Sequence, residues 1–375
     1  MLHLSSGNLF GGIEVCERAV AQYRHVSDWE LEFGFCFDGK IAAELRELDV
    51  PVHHLGEVRY SRPWTIAAAR RRLRQLLAAR VYDCVICDEL WVHGIFAPTI
   101  RARNMPLGLW LHDKHGRRGL LERLAVMTPP DFVVCNGRYS GDAVPTFLPR
   151  VPFRIVHCPV APPTANNLQP RSSVRRSFQT ADDAVVVLQV GRWEPHKGHR
   201  FHLEALAQLR DVPDWVCWQV GQPQRPEERA YFAEIQELGE RLGIADRVRY
   251  LGWQPDLERV FQSADIFCQP NISPEPFGLV FIEAMYHGLP VVATPLGGPC
   301  EIITADTGVL VSEQDSRELA GCLRELITSS ERRQHLSRGG PARARLLCDP
   351  AQQVQRLTTF LAEQMSRLGR VGSSR

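Results

Sequence analysis

Thirteen short apolar runs, separated by stretches of helical periodicity, constrain this chain more than any other feature. In the first half they are "LHLSS" (2–6), "LEFGFCF" (31–37), "PVHHLG" (51–56), "CVICD" (84–88), "LGLWLH" (107–112), "FVVCN" (132–136) and "FRIVHCPV" (153–160). Strands apolar along nearly their whole length must be covered on both faces, and alternation with helices implies a parallel sheet. "PVAPPTANNLQPRSS" (159–173) then breaks the pattern: rich in Pro, Ala, Asn and Ser and without periodicity, it reads as a linker. The alternation restarts with "AVVVLQVG" (184–191), "WVCWQVG" (215–221), "VRYLG" (248–252), "DIFCQP" (265–270), "PVVAT" (290–294) and "GVLV" (308–311). The expectation is an α/β chain of two doubly wound, Rossmann-like parallel-sheet domains in tandem, over 1–165 and 166–350. They would face each other across a cleft, with ligands at the carboxyl ends of the strands. A helix over 351–375 would cross back to the first domain.

Composition narrows the function classes. A chain of 375 residues is too long for one ordinary core. A formal net charge of +1 argues against a nucleic-acid binder with a broad basic face. No stretch reaches the ~18 apolar residues of a membrane span, and "MLHLSSGNLFGG" has neither the n-region nor the h-region of a secretory signal. Eleven scattered cysteines, several inside apolar runs, read as buried thiols in a reducing compartment, so a cytoplasmic protein is expected. "CVIC" (84–87) has C-x-x-C spacing, but on a strand positions three apart point to opposite faces, which favours core over redox or zinc.

Three constellations carry chemistry. In "SSGNLFGGIEVCERAV", Gly7, Gly11 and Gly12 sit where strand becomes helix, a place where backbone and free N–H groups approach a phosphate or oxyanion. Asp38 follows the next strand, where a ribose partner would sit, but the spacing is not G-x-G-x-x-G, so a dinucleotide site is disfavoured. In "LQVGRWEPHKGHRFHLEAL", Arg192 follows a strand at once and Lys197 precedes a helix. Cations at a helix start oppose its dipole, which points to a bound anion; together they would neutralise a diphosphate and stabilise it as a leaving group. His196, His199 and His202 recur every three residues without carboxylate support, a poor zinc pattern.

The third constellation is "SPEPFGLVFIEAMYHGLPVVATPLGG" (273–298). Glu275 lies in a loop, a helix is expected from about Phe277 or Gly278, and Glu283 sits about 8 Å further along its axis than Gly278. Two carboxylates so separated suit two ends of one elongated ligand better than one acid/base pair, with the amides of Phe277 to Leu279 facing its anionic middle. Phe281, Ile282, Ala284 and Met285 surround Glu283, and a buried carboxylate needs a partner.

"VGRWEPHKGH", "EPFGLVFIEAMYHGLPVVAT" and "LGGPCEII" resemble the family-4 retaining glycosyltransferases of the GT-B fold, continuously from about Ala184 to Val311 and more weakly over the first 160 residues. The resemblance implies a hexosyltransferase that takes a nucleotide-diphospho-sugar donor and a glycan, lipid-linked or small-molecule acceptor, in polysaccharide or glycoconjugate biosynthesis. The alternatives are a GT-B phosphorylase, a sugar-nucleotide epimerase or hydrolase, or a non-catalytic nucleotide-sugar-binding module. By motif, Arg192 and Lys197 look like the diphosphate-binding pair, Glu275 like the glutamate beside the reacting carbon, and Glu283 like the one holding the ribose. Phe277, Gly278 and Leu279 would touch sugar and phosphate, Gly11 and Gly12 look like the loop closing over the donor, and His112 falls near the reaction centre, with His93 its rival. No Asp-x-Asp is present, so neither metal nor other cofactor is expected and the cations must stabilise the diphosphate. Where many relatives carry an Asn-Gly-Val-Asp run this chain has "HCPVAPP" (157–163). "ARRRLRQLLAAR" (69–80) reads first as a solvated helix face. Relatives that glycosylate lipids dock on anionic membranes through such a helix, here around Arg70 to Arg80, which would place the protein at the inner face of the cell membrane.

Overall fold

A computed structural model describes residues 1–8, 11–116, 119–163, 169–313 and 315–369. Part of the expected linker, 164–168, lies outside these residues. The chain divides into two compact units: Met1–Ala161 with Cys348 onward, and Pro162–Leu347. The expected boundary at 165/166 falls four residues beyond that division.

The first unit is built on seven parallel strands: β1 (Leu2–Ser5), β2 (Glu32–Phe35), β3 (Val52–His54), β4 (Val85–Asp88), β5 (Leu107–Leu111), β6 (Phe132–Cys135) and β7 (Phe153–Ile155). Their order is β3-β2-β1-β4-β5-β6-β7, so the strand order reverses between β1 and β4 while all strands stay parallel. Every residue of β1, β4, β5 and β6 is buried, as their continuous apolar character requires. The helix Pro350–Arg367 returns to this unit and packs on the helix Gly12–Gln22 and the turn Arg24–Val26. It is held by the edge contact of Phe360 on Phe132 and by Gln353 Oε1, which accepts from His157 N at 3.1 Å.

The second unit has six parallel strands: β8 (Val185–Val190), β9 (Trp215–Val220), β10 (Val248–Gly252), β11 (Ile266–Gln269), β12 (Val291–Ala293) and β13 (Gly308–Leu310). Their order, β10-β9-β8-β11-β12-β13, places the reversal between β8 and β11. That is the doubly wound order, and it leaves a crevice outside the carboxyl ends of the two central strands.

Nine of the eleven cysteines are buried, Cys84 and Cys87 among them, and none is disulfide-bonded. Burial pushes the Cys84 thiol up to about 12, the behaviour of a core residue. In the basic helix Pro63–Ala79, Arg70 donates to the carbonyls of Ile95 and Gly94 and Arg72 to that of Leu55, while Arg80 pairs with Glu32 at 2.5 Å. Among the described residues no helix is long and apolar enough to cross a membrane.

Candidate functional site

In the second unit the candidate residues gather at the reversal point. β8 ends at Val190 and the chain runs through Gly191 and Arg192 to a short turn of 3-10 helix, Pro195–Lys197. Gly198, at φ 74°, then starts the helix His199–Leu206; a Cβ there would stand 1.8 Å from the carbonyl oxygen of Pro270. This close approach locks the exit of β8 to the exit of β11, and Ile272 N donates to His196 O at 2.9 Å across the same seam. Lys197 Nζ consequently lies 2.5 Å from Glu275 Oε2, a pair 78 residues apart in sequence. Asn271 Nδ2 donates to the same carboxylate oxygen at 3.0 Å, and Gln269 Nε2 holds Asn271 Oδ1 at 2.9 Å. From β8, Gln189 Nε2 donates to Lys197 O at 2.8 Å.

The double glycine seats the Glu275 loop. Glu275 N donates to Leu296 O and Gly298 N to Glu275 O, at 3.0 and 2.7 Å. A Cβ on Gly297 would come within 2.2 Å of Glu275 O, and one on Gly298 within 2.0 Å of Phe277 O. Phe277 is buried beneath the loop, Gly278 adopts φ 98° as the N-cap, and the helix runs Leu279–Tyr286, starting one or two residues later than expected. Its first-turn N–H groups have no intrahelical acceptor, as at any helix start. Glu283 retains some surface, but its carboxyl meets no hydrogen-bond or ion-pair partner among the described residues, and burial pushes it up to about 7.

Arg192 does not share Lys197's partner. It is partly exposed and pairs with Glu194 at 2.8 Å, with Glu228 further off at 3.9 Å. The three histidines of this segment do not converge on a metal: His199 stacks on Trp193 at 4.5 Å, His202 Nδ1 meets Gln189 Oε1 at 2.8 Å, and His196 lies beside Glu194.

In the first unit the reversal point lies between β1 and β4. A pocket of ≈ 230 Å3 opens there, with Ser5, Ser6, Asn8, Ile13, Asp88 and Glu89 in its lining. Gly11 caps the helix Gly12–Gln22, but its N–H already donates to Glu14 Oε2 at 2.8 Å. Gly7, at φ 74°, packs on Phe37 O, and Asp38 is paired with Arg46 at 2.9 Å. His112 follows β5 and is buried, its Nε2 2.7 Å from Asp88 Oδ1 and its backbone N donating to Glu89 Oε1 at 2.5 Å. Glu89 itself takes φ 63°, a left-handed conformation that non-glycine residues adopt at a cost, at the head of the helix Glu89–Arg101. His93, the rival, is wholly buried with both ring nitrogens unpartnered among the described residues, and burial lowers it to about 4: a neutral core histidine. Reading the sequence missed Asp88, Glu89, Asn271, Gln269 and Gln189. The one available signal was an Asp closing an otherwise apolar strand beside a strand closed by His.

Comparison with known proteins bears on the second unit. The family described as glycosyl transferases group 1 matches residues 170–343. The match covers just under half of this chain. The lipopolysaccharide core biosynthesis glycosyltransferase LpsE of Rhizobium meliloti is 31% identical over 167 residues, 44% of this chain and 46% of that protein. A D-inositol 3-phosphate glycosyltransferase of Corynebacterium diphtheriae is 36% identical over 160 residues, 40% and 36% of the two chains. The chain thus spans less than half the length of these relatives. Among solved structures, Anabaena Alr3699/HepE in complex with UDP superposes with a TM-score of 0.85 at 24% identity, covering 96% of this chain and 99% of that one. A glycosyltransferase from Rickettsia africae gives 0.85 at 18% identity, covering 97% and 98%. These likenesses show the fold: the group 1 domain and the unit before it make up the two Rossmann-like parallel-sheet units of the GT-B class.

Proposed function

We propose that the protein is a retaining glycosyltransferase that moves a hexose from a nucleotide-diphospho-sugar to an alcohol of a glycan, lipid-linked or small-molecule acceptor. The observation that carries this reading is the Lys197–Glu275 pair at the reversal point of the group 1 domain. A cation and a carboxylate sit there beside a helix start, with a second carboxylate, Glu283, further along the helix. Such a set matches a ligand with a sugar at one end, a ribose at the other and a diphosphate between.

In the transfer the bond from the anomeric carbon to the diphosphate oxygen breaks, and the acceptor oxygen forms the new bond on the same face. Lys197 and Arg192 would neutralise the charge that develops on the departing diphosphate, supported by the N–H groups of the helix start, so the reading assigns no metal to it. Glu275 is already engaged by Lys197 and Asn271, which suits a carboxylate that orients the sugar better than one that attacks it. The leaving diphosphate would then take the acceptor's proton. Glu283 would accept the ribose hydroxyls, and Gly11 and Gly12 would approach the donor after Glu14 yields the Gly11 amide. With two of its arginines tied to carbonyls and the Arg80 that caps it paired with Glu32, the helix Pro63–Ala79 enters this reading as a solvated face, not as a membrane dock.

Incubation with UDP-, GDP- and ADP-sugars, beginning with UDP-glucose, tests the proposal through nucleotide release with and without an acceptor mixture. Release that requires an acceptor is expected. Absence of calorimetric binding to every donor would sink the reading, and equal release without acceptor would make the enzyme a hydrolase.

The Glu283 carboxyl supplies a pH test. A carboxyl that titrates near 7 in the free protein must ionise to accept two ribose hydroxyls, so donor binding below pH 7 releases a proton. UDP affinity is expected to be flat above pH 7 and to fall towards about tenfold per unit below it. Calorimetry in buffers of different ionisation enthalpy reads this directly. A flat affinity from pH 5.5 to 8 would remove Glu283 from the ribose.

A further inference from the structure

Four buried ionisable side chains meet at the reversal point of the first unit. His3 on β1, Asp88 on β4 and Trp110 and His112 at the end of β5 project from one face of the sheet, and Glu17 reaches them from the helix Gly12–Gln22. Asp88 stands between the two imidazoles: Oδ1 lies 2.7 Å from His112 Nε2 and Oδ2 lies 3.4 Å from His3 Nε2. His3 Nε2 is in turn 3.9 Å from Glu17 Oε1. The Trp110 indole stacks with both rings, 5.6 Å from His3 and 5.7 Å from His112. None of the four side chains is more than 8% exposed.

A carboxylate so enclosed stays charged only beside a compensating cation. His112 is the nearest one to Asp88, and the contact turns its Nε2 toward that carboxylate. We propose that Asp88 is a positioning residue for His112: it anchors the ring through Nε2 and keeps the proton on it, so that His112 acts as a fixed positive charge and not as an acid or base. The proposal rests on the transferase reading for its kinetic consequence, but the dyad itself does not.

The other groups facing His112 agree with this assignment. Burial alone would lower the imidazole, but Asp88 outweighs it and holds His112 well above the usual range. Glu17 is pushed well up by burial and by the charge on Asp88, so it carries its proton, and burial raises Glu14 as well. From the far side Cys158 is drawn down to about 6, first by the hydrogen bond from Cys16 and then by the imidazolium. Glu89 engages only the backbone N of His112, and His3 faces Asp88. One rival arrangement has a distinct signature. Ligand atoms of His3, Glu17 and Asp88 lie within 4.8 Å of one another, close enough for a divalent cation to stand where the protons do.

The test is a proton-NMR titration of the histidine ring resonances in the full chain, with His112→Gln assigning the peak. In the wild-type protein His112 is expected to titrate well above the usual imidazole range. In Asp88→Asn the main opposition to burial is gone and Cys158 remains, so the ring should titrate at a lower pH than in the wild-type protein. The turnover number should fall about 10²-fold with the donor KM unchanged, and the kcat–pH profile should gain a limb that declines as pH rises through the new His112 value. A wild-type His112 titrating near 6.5 would overturn the proposal even if the variant did not fold. So would an Asp88→Asn protein with unaltered kcat, or one equivalent of zinc or manganese per chain in metal analysis of the purified protein. If no nucleotide-sugar is turned over, the transferase reading fails while the titration still decides the dyad.

Discussion

Lys197→Ala is expected to lower turnover of the preferred nucleotide-sugar about 10²–10³-fold, the cost of removing one preorganised charge from a developing anion. The geometry adds a second expectation. In the free protein Lys197 and Glu275 neutralise each other at 2.5 Å with both side chains largely buried, so removing the lysine also leaves the Glu275 charge without its paired cation, beside the amide of Asn271. The single variants Lys197→Ala and Glu275→Gln should therefore cost nearly as much as the pair combined, because each disables the same unit. Steady-state kinetics on the three variants, with thermal midpoints as the control for folding, measures this. Additive losses, or a Lys197→Ala enzyme within tenfold of wild type, would show that the pair is not at the chemistry.

Arg175→Ala should destabilise the second unit by about 3 kcal/mol, at the lower end of what breaking a buried charged pair costs. Arg175 lies in the helix Arg171–Ser177 and is only 1% exposed. Its guanidinium donates to the carbonyls of Ser263, Asp182 and Ala184 and pairs with Asp265 at 2.6 Å. Asp265 survives the substitution better than the carbonyls do, because Arg171 and the backbone N of Val186 also hold it. Urea unfolding of the second unit reads the loss. A midpoint shift worth under about 0.5 kcal/mol would place Arg175 among ordinary surface residues.

The parts of the fold that were legible in the sequence are those with one local cause. A run such as "AVVVLQVG" is apolar on both faces because its strand is covered on both faces, so β8 could be placed to within a residue or two. Gly278 marked a helix start, and there it takes the positive φ that is cheap only for glycine. What stayed hidden depends on residues far apart in sequence meeting at strand ends. Nothing local to Lys197 says that its partner is Glu275, and nothing near Gly298 says that the carbonyl of Phe277 will pass within reach of its missing side chain. His112 was reached through family resemblance, but that resemblance does not say that its ring turns toward Asp88. Arg192 was grouped with Lys197 by proximity along the chain, whereas the structure gives it Glu194 as its neighbour.

The helix Pro350–Arg367 has a consequence for how the protein is made. It belongs to the first unit, yet it is translated after the whole of the second. Domains ordinarily complete themselves in the order in which they leave the ribosome. Here the order is inverted: residues 162–347 can finish their core while the seven-stranded sheet still waits for its last covering helix. Until Phe360 arrives, Phe132 lacks its aromatic neighbour. A chain that ended just before that helix would hold a finished second unit and an uncovered first one, the species that a chaperone would meet.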